Sequence, residues 1–225
     1  MSRLPPGPTL YVLWAACSIG FSLILAGRSP ESVTRILVLG FLVGQMLAVP
    51  LLRHFLPRSS PRTRFVVLAM FLAAAVEGFH MLSSPVFASL IVTRDTPPAQ
   101  ALANYALDLL FTLPAYLVIF TVIWLFISRH HFPPWPYALI VGFAQTIGDG
   151  GLFYFAGAPA MLAFLPYPMS NYHAINVLPF LAVRGSLRSS RPFTARSYLV
   201  IPAIVGVYLA SGVLIRAVGR LAGIE

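Results

Sequence analysis

The chain has 225 residues and a formal net charge of +9, yet only 9% of it is charged and 58% is hydrophobic. Several apolar runs reach the roughly 20 residues that cross a bilayer, so the composition reads as one helical membrane domain with no room for a separate soluble one. The positive charge does not imply nucleic acid: the arginines lie in short loops between apolar runs, where they orient the chain and meet lipid headgroups. All fifteen cations are arginine. Without a lysine no side-chain Schiff base can form, which rules out a retinal protein. A lone cysteine, Cys17, excludes an intrachain disulfide. Leu13-Trp14-Ala15-Ala16 before it is a poor lipoprotein-type cleavage site, so the first helix is expected to stay in place.

In chain order, apolar runs between charges predict helices near 9–27, 33–52, 65–92, 102–128, 135–157, 164–183 and 198–217. The predicted fold is an all-α polytopic membrane helical bundle of about seven transmembrane helices. The sixth is short, and Pro166 and Pro168 make its entry irregular. The connections are brief and rich in Pro, Ser and Arg, as in Arg58-Ser59-Ser60-Pro61 and His131-Phe132-Pro133-Pro134. Seven spans put Arg3, Arg53, Arg58, Arg62, Arg64, Arg129, Arg184, Arg188, Arg191 and Arg196 on the N-terminal side. Arg28, Arg35, Arg94, Arg216 and Arg220 fall opposite. Ten against five predicts a cytosolic N-terminus and a C-terminus outside or in the lumen.

Three of the six acidic residues, Glu77, Asp108 and Asp149, sit in the middle of predicted membrane helices. A carboxylate in hydrocarbon costs at least about 2.5–3.5 kcal/mol, so it is rarely there for structure alone. At about 1.5 Å per helical residue, Glu77 lies about 18 Å and Asp149 about 21 Å from the N-terminal side, with Asp108 about 10 Å and Asn176 about 15–18 Å from the other. All four fall in one slab, which predicts a shared cavity between the third and sixth helices.

Glu77 and His80 share a helix face and are placed to hold a proton between them, although a hydrogen bond to a neighbouring helix would explain them too. Asp108 precedes Pro114, which loosens the helix and opens room for a ligand; a cap or interhelical bond is the plainer account. Asp149 lies in Gly148-Asp149-Gly150-Gly151, where missing side chains let a backbone or a flat ligand approach, or simply let helices pack. Tyr172, His173 and Asn176 line a face of the sixth helix as substrate-binding candidates or interhelical contacts. His130 and His131, beside Trp135 and Tyr137, read as headgroup neighbours. No His-x-x-x-His pair or clustered Cys/His set suggests a metal site.

At these residues the chain resembles the EXPERA-domain membrane proteins, which include the sterol Δ8–Δ7 isomerases (emopamil-binding proteins) and the sigma-2 receptor. Asp108-Leu109-Leu110-Phe111-Thr112-Leu113-Pro114 is similar to the family's Glu-Leu-x-Phe-x-Leu-Pro segment, with Asp in place of the functional Glu. Gln145-Thr146-Ile147-Gly148-Asp149 followed by Tyr154-Phe155 resembles the isomerases' Gly-Asp-x-x-x-Tyr-Phe helix. Tyr172-His173-Ala174-Ile175-Asn176-Val177-Leu178-Pro179-Phe180 resembles the last domain helix. Glu77-Gly78-Phe79-His80 is similar to the His-x-x-x-Glu-Gly-Trp/Phe of the first. The resemblance implies an EXPERA-like four-helix unit over 65–190, flanked by the two N-terminal transmembrane helices over 1–64 and the C-terminal one over 191–225 that the apolar runs predict. The chain departs from the pattern where His follows rather than precedes the Glu, where Tyr172 stands for the isomerases' Asn, and where Ile175 replaces their Trp.

The resulting expectation is an isomerase that moves a double bond in a polycyclic lipid, sterol- or terpenoid-like, by acid/base proton transfer. Glu77 with His80 is the expected acid, Asp108 the base or electrostatic stabiliser, and Asp149 and Asn176 the supporting shell. The second reading is a non-enzymatic lipid-binding or trafficking protein. The third, a proton-coupled transporter, would carry an internal repeat that is not found. The expected partners are a hydrophobic polycyclic small molecule, the lipid bilayer and a second copy in a homodimer, with no nucleic acid and no cofactor. The expected location is the endoplasmic reticulum in a eukaryote or the cytoplasmic membrane in a bacterium.

Overall fold

Residues 6–55, 59–187 and 191–224 are described in a computed structural model of the chain. Arg3, Arg58 and Arg188, part of the charge count, lie outside the described residues. The helices are α1 Pro6–Ala26, α2 Pro30–Phe55, α3 Pro61–His80, α4 Pro98–Ile127, α5 Pro134–Thr146, α6 Leu152–Gly157, α7 Pro166–Val183 and α8 Val200–Leu221. A wide π-type turn at Ile147–Gly151 joins α5 to α6 into one rod. Seven rods therefore stand where seven spans were predicted. Among the described residues six stretches are long and apolar enough to cross a membrane. The chain is an all-α, multi-pass membrane bundle.

Proline sets most of the starts. Helices α1 to α5 and α7 all open on one, because proline lacks only an N–H that the first turn leaves unpaired and its fixed φ suits the helix. A boundary drawn at the first apolar residue therefore falls three or four residues late for α2, α3 and α4. Ser60 adds a cap to α3, its hydroxyl accepting the Thr63 N–H at 3.2 Å.

The third helix is shorter than its apolar run. It ends at His80, not near 92, because Pro85 cannot continue a helix and disfavours helical backbone just before it. The chain then folds back through a 3-10 turn at Ala88–Leu90, closed by the Val92 N–H donating to the Met81 carbonyl at 2.8 Å. Phe87 and Leu90 of this loop are buried with Met81, and Phe87 meets Phe111 of α4 edge-on at 5.0 Å.

Helix α7 is the hub, packing on α1, α2, α3 and α5. Eleven of its 18 residues are buried, yet it is too polar to count among the six apolar stretches. Its polar residues face protein rather than lipid. Between helices in a bilayer there is little hydrophobic drive, so packing and interhelical hydrogen bonds hold the bundle. The Gln45 amide donates to the Ala174 carbonyl at 2.8 Å, the Thr34 hydroxyl to Phe79 at 3.1 Å and the Tyr105 hydroxyl to Ala74 at 2.7 Å. Bonds of this kind contribute about 0.6–2 kcal/mol each. By contrast α1 buries only Ser18 among its described side chains. It is held by the Trp14 indole N–H on the Ala163 carbonyl at 2.6 Å and by Phe21 stacked on Phe164 at 5.7 Å.

Candidate functional site

A cavity of about 790 Å³ opens among α1, α2, α3, α7 and the π-type turn, with Tyr116 of α4 in its wall. This is the size range of small-molecule sites. Much of the wall is apolar, including Phe21, Leu25, Val76, Phe155, Phe164 and Ile175. Set into it are Glu77, His80 and Asp149 from the predicted catalytic set and Tyr172 from the predicted binding set.

Glu77 sits in the last turn of α3, ahead of the Pro85 break. Its Oε1 accepts the Tyr116 hydroxyl at 2.5 Å. The expected proton-sharing pair with His80 is not formed: His80 Nδ1 is bonded to the Ser84 hydroxyl at 2.8 Å. Sharing a helix face brought both into the cavity, and each found its partner on another segment.

Asp149 owes its position to the break between α5 and α6. Gly150 has φ +92, in the left-handed region that side chains disfavour, and Asp149 itself leaves the helical range at φ −83, ψ 44. Such π-type interruptions recur at functional sites. Gly148 serves packing instead: a Cβ there would lie 2.8 Å from the Tyr208 Cβ of α8. Helix packing thus accounts for Gly148, and the left-handed turn for Gly150. Asp149 is exposed and lines the cavity. Its Oδ2 accepts the Tyr172 hydroxyl.

Behind that pair runs a polar relay. The Asn176 amide donates to Gln145 Oε1 and to the Tyr172 carbonyl at 2.7 Å, and the Gln145 amide to the Tyr208 hydroxyl at 3.2 Å. Asn176 and Gln145 are both buried and neither lines the cavity. Asn176 thus orients the backbone that carries Tyr172.

Two other candidates stand apart. Asp108 has no accessible surface and is not in the cavity wall. Its Oδ1 accepts the Val86 N–H at 2.7 Å, pinning the α3–α4 loop to α4, while Oδ2 has no hydrogen-bond partner. The interelement bond expected as the plainer account of Asp108 is the one the structure shows. His173 points to the α1–α5 side, its ring 5.8 Å from Tyr11 and its Nε2 so close to Gly142 that a Cβ there would sit at 2.8 Å. The four polar groups expected in one cavity thus reduce to Glu77 and Asp149.

The structure adds a group that the charge count took for a loop arginine. Arg35 lies in the second turn of α2 and is only 3% exposed. Its Nη1 donates to the Tyr167 carbonyl at 2.8 Å, the Ser170 hydroxyl at 3.0 Å and Asn171 Oδ1 at 2.6 Å. Its Nη2 pairs with Glu31 Oε1 at 3.1 Å, and the guanidinium lies 3.9 Å from the Tyr167 ring centroid. Glu31 also accepts the Tyr167 hydroxyl at 3.0 Å. Glu31, Arg35, Tyr167 and Asn171 all line the cavity. The one signal in the sequence was the i, i+4 spacing of Glu31 and Arg35 at the head of an apolar run. Tyr116 carried none, being one tyrosine in an apolar helix.

The chain matches no family model, no curated protein and no solved structure.

Proposed function

We propose that the chain is a membrane-embedded isomerase that shifts a double bond in a sterol- or terpenoid-like lipid by acid/base proton transfer. The observation that carries this reading is that Glu77 and Asp149, from separate helices, line one apolar-walled cavity. Each is held by a tyrosine hydroxyl, Tyr116 and Tyr172. Protonated Glu77 donates a proton to one alkene carbon, leaving the positive charge on the other. Ionised Asp149 removes a proton from the carbon on the far side of that cation, and the double bond moves one position. Exchange with water then returns a proton to Glu77 and takes one from Asp149, so the cycle is redox-neutral and consumes no co-reactant. The apolar walls keep water from quenching the cationic intermediate. Asp149 takes the role first expected of Asp108, because Asp149 faces the cavity and Asp108 does not. His80 stands at the cavity wall as a neighbour of the donor.

The EXPERA-like resemblance over 65–190 belongs to the same proposal, as do a cytosolic N-terminus and a lipid-metabolic setting. Support for it rests on Glu77, Asp149 and Tyr172, three of its motif residues, which meet at one cavity. Arg35, buried against Glu31, drops out of the loop charge count without reversing its direction.

The test uses purified protein in nanodiscs with candidate sterols and terpenoids in heavy water, with products followed by mass spectrometry and NMR. The expected result is an isomerised product carrying deuterium, formed at least about 10²-fold more slowly by Glu77→Gln, since general acid–base groups contribute about 10²–10⁴-fold. Ligand binding without turnover would instead identify a lipid-binding protein. Turnover undiminished in Glu77→Gln would remove Glu77 as the donor.

A further inference from the structure

The cavity holds two distinct polar groups. One is made by Glu77, Tyr116, Asp149 and Tyr172, on α3, α4, the π-type turn and α7. The other is made by Glu31 and Arg35 of α2 with Tyr167 and Asn171 from the first turns of α7, and it is flanked by His80 and Ser84. From Tyr167 to Ile175 the cavity runs along nine residues of α7, about 12 Å of helix. One ligand can therefore reach both polar groups.

We infer that the Arg35 cluster is a recognition subsite for a hydroxyl or carbonyl oxygen at one terminus of the ligand. It thereby decides which part of the hydrocarbon lies against Glu77 and Asp149. The inference rests on the reading of this cavity as a lipid site.

Three observations carry it. First, a guanidinium only 3% exposed is costly to desolvate unless it is paired, and elsewhere α2 is joined to α7 without charge, by Gln45 on the Ala174 carbonyl. Fixing the two helices together did not require a guanidinium. Second, the arginine organises its neighbours. It engages Asn171 Oδ1 and Glu31 Oε1, so both side chains are held in place while still lining the cavity. His80 and Ser84, bonded to each other at 2.8 Å, continue the same polar wall. Third, the charge is already balanced by Glu31, and Arg35 is the one arginine among the described residues that line the cavity. A phosphate or carboxylate head finds no spare positive charge there. A neutral oxygen finds fixed donors and acceptors in a low-dielectric setting, where an unmet polar group costs most.

The experiment compares lipids that differ by one oxygen. Full-length protein in nanodiscs is titrated with cholesterol against the same sterol lacking its hydroxyl, and with farnesol against the matching hydrocarbon without its hydroxyl. For at least one pair the alcohol is expected to bind about 10-fold more tightly, the scale of a hydrogen bond to a charge-supported group. In Asn171→Ala and Arg35→Gln this preference is expected to fall to within about twofold. The ratio of the two affinities is the readout, because a merely destabilised bundle weakens both probes together. If Arg35→Gln does not fold, Asn171→Ala and Ser84→Ala carry the test. Equal binding of alcohol and hydrocarbon by the unaltered protein would overturn the subsite and leave the cavity a lipid site. A preference that survives Asn171→Ala in full would place the oxygen elsewhere and also overturn it. Binding of neither pair would overturn the reading of the cavity, and this inference with it.

Discussion

Asp108 and Asp149 look alike in the sequence. Each is a single carboxylate in an apolar helix, close to a residue that disturbs helical backbone, Pro114 in one case and Gly150 in the other. In the folded bundle they do different things. Asp108 is wholly enclosed and holds the Val86 N–H of a loop. Asp149 keeps accessible surface, accepts the Tyr172 hydroxyl and faces the cavity. Part of the difference is the π-type break that re-aims Asp149, where Asp108 stays in regular helix. The rest is what arrives opposite: a folded-back loop at Asp108, and at Asp149 an open space among α1, α2 and α7. A carboxylate in a membrane helix therefore signals an expensive group, not the use to which it is put.

The largest contrast is expected in turnover. Asp149→Asn removes the proton acceptor and should slow isomerisation by about 10²-fold or more, while Asp108→Asn should leave it within about threefold. Rates of deuterium uptake from heavy water in the two variants check this. Equal losses would erase the distinction between the two sites.

A second contrast lies in stability. Asp108→Leu strips the Val86 N–H of its acceptor inside the bundle and should lower stability by about 1–3 kcal/mol, the cost of an unmet buried donor. Asp108→Asn keeps a carbonyl oxygen there and should recover most of the loss. Denaturation of the purified protein in mild detergent by increasing SDS reads both.

The smallest effect is local to the Asp149 turn. Gly150→Ala meets no steric obstacle, but its φ of +92 is strained for any side chain, at about 1–2 kcal/mol. The variant should fold, lose about that much stability, and lose turnover out of proportion to it, because the strain displaces Asp149. Activity and SDS denaturation on one preparation separate the two losses.

Much of this was legible before any coordinates. Runs nearly free of charge located all seven rods, because a bilayer demands continuous stretches of one length, and six of these are apolar enough to cross a membrane. Boundaries were less so: the proline starts and the Pro85 stop follow backbone rules rather than hydropathy, so the third helix read twelve residues too long. Glu77, His80, Asp149 and Tyr172 could be picked out as polar residues in apolar surroundings. The partner of Asp108 could not, since Val86 lies 22 residues away on a loop and offers only a backbone N–H. Arg35 was misread for a different reason. Counting arginines by loop assumes that charge sits in water, and this one is instead satisfied by α7. The polarity of α7 had the same origin, since a helix surrounded by other helices meets little lipid and has no need to be apolar.

The central claim is that Glu77 and Asp149 face one lipid-accessible cavity and Asp108 does not. Dicyclohexylcarbodiimide, a lipid-soluble reagent that couples to carboxyl groups it can reach from an apolar phase, tests this without knowledge of the substrate. The protein is labelled in nanodiscs, digested and mapped by mass spectrometry. Labelling is expected at Glu77, and at Asp149 once the pH is lowered to protonate it, in both cases reduced by excess sterol or terpenoid, with Asp108 unmodified. Modification of Asp108 at the rate of the other two, or no modification of Glu77 and Asp149, would contradict the account.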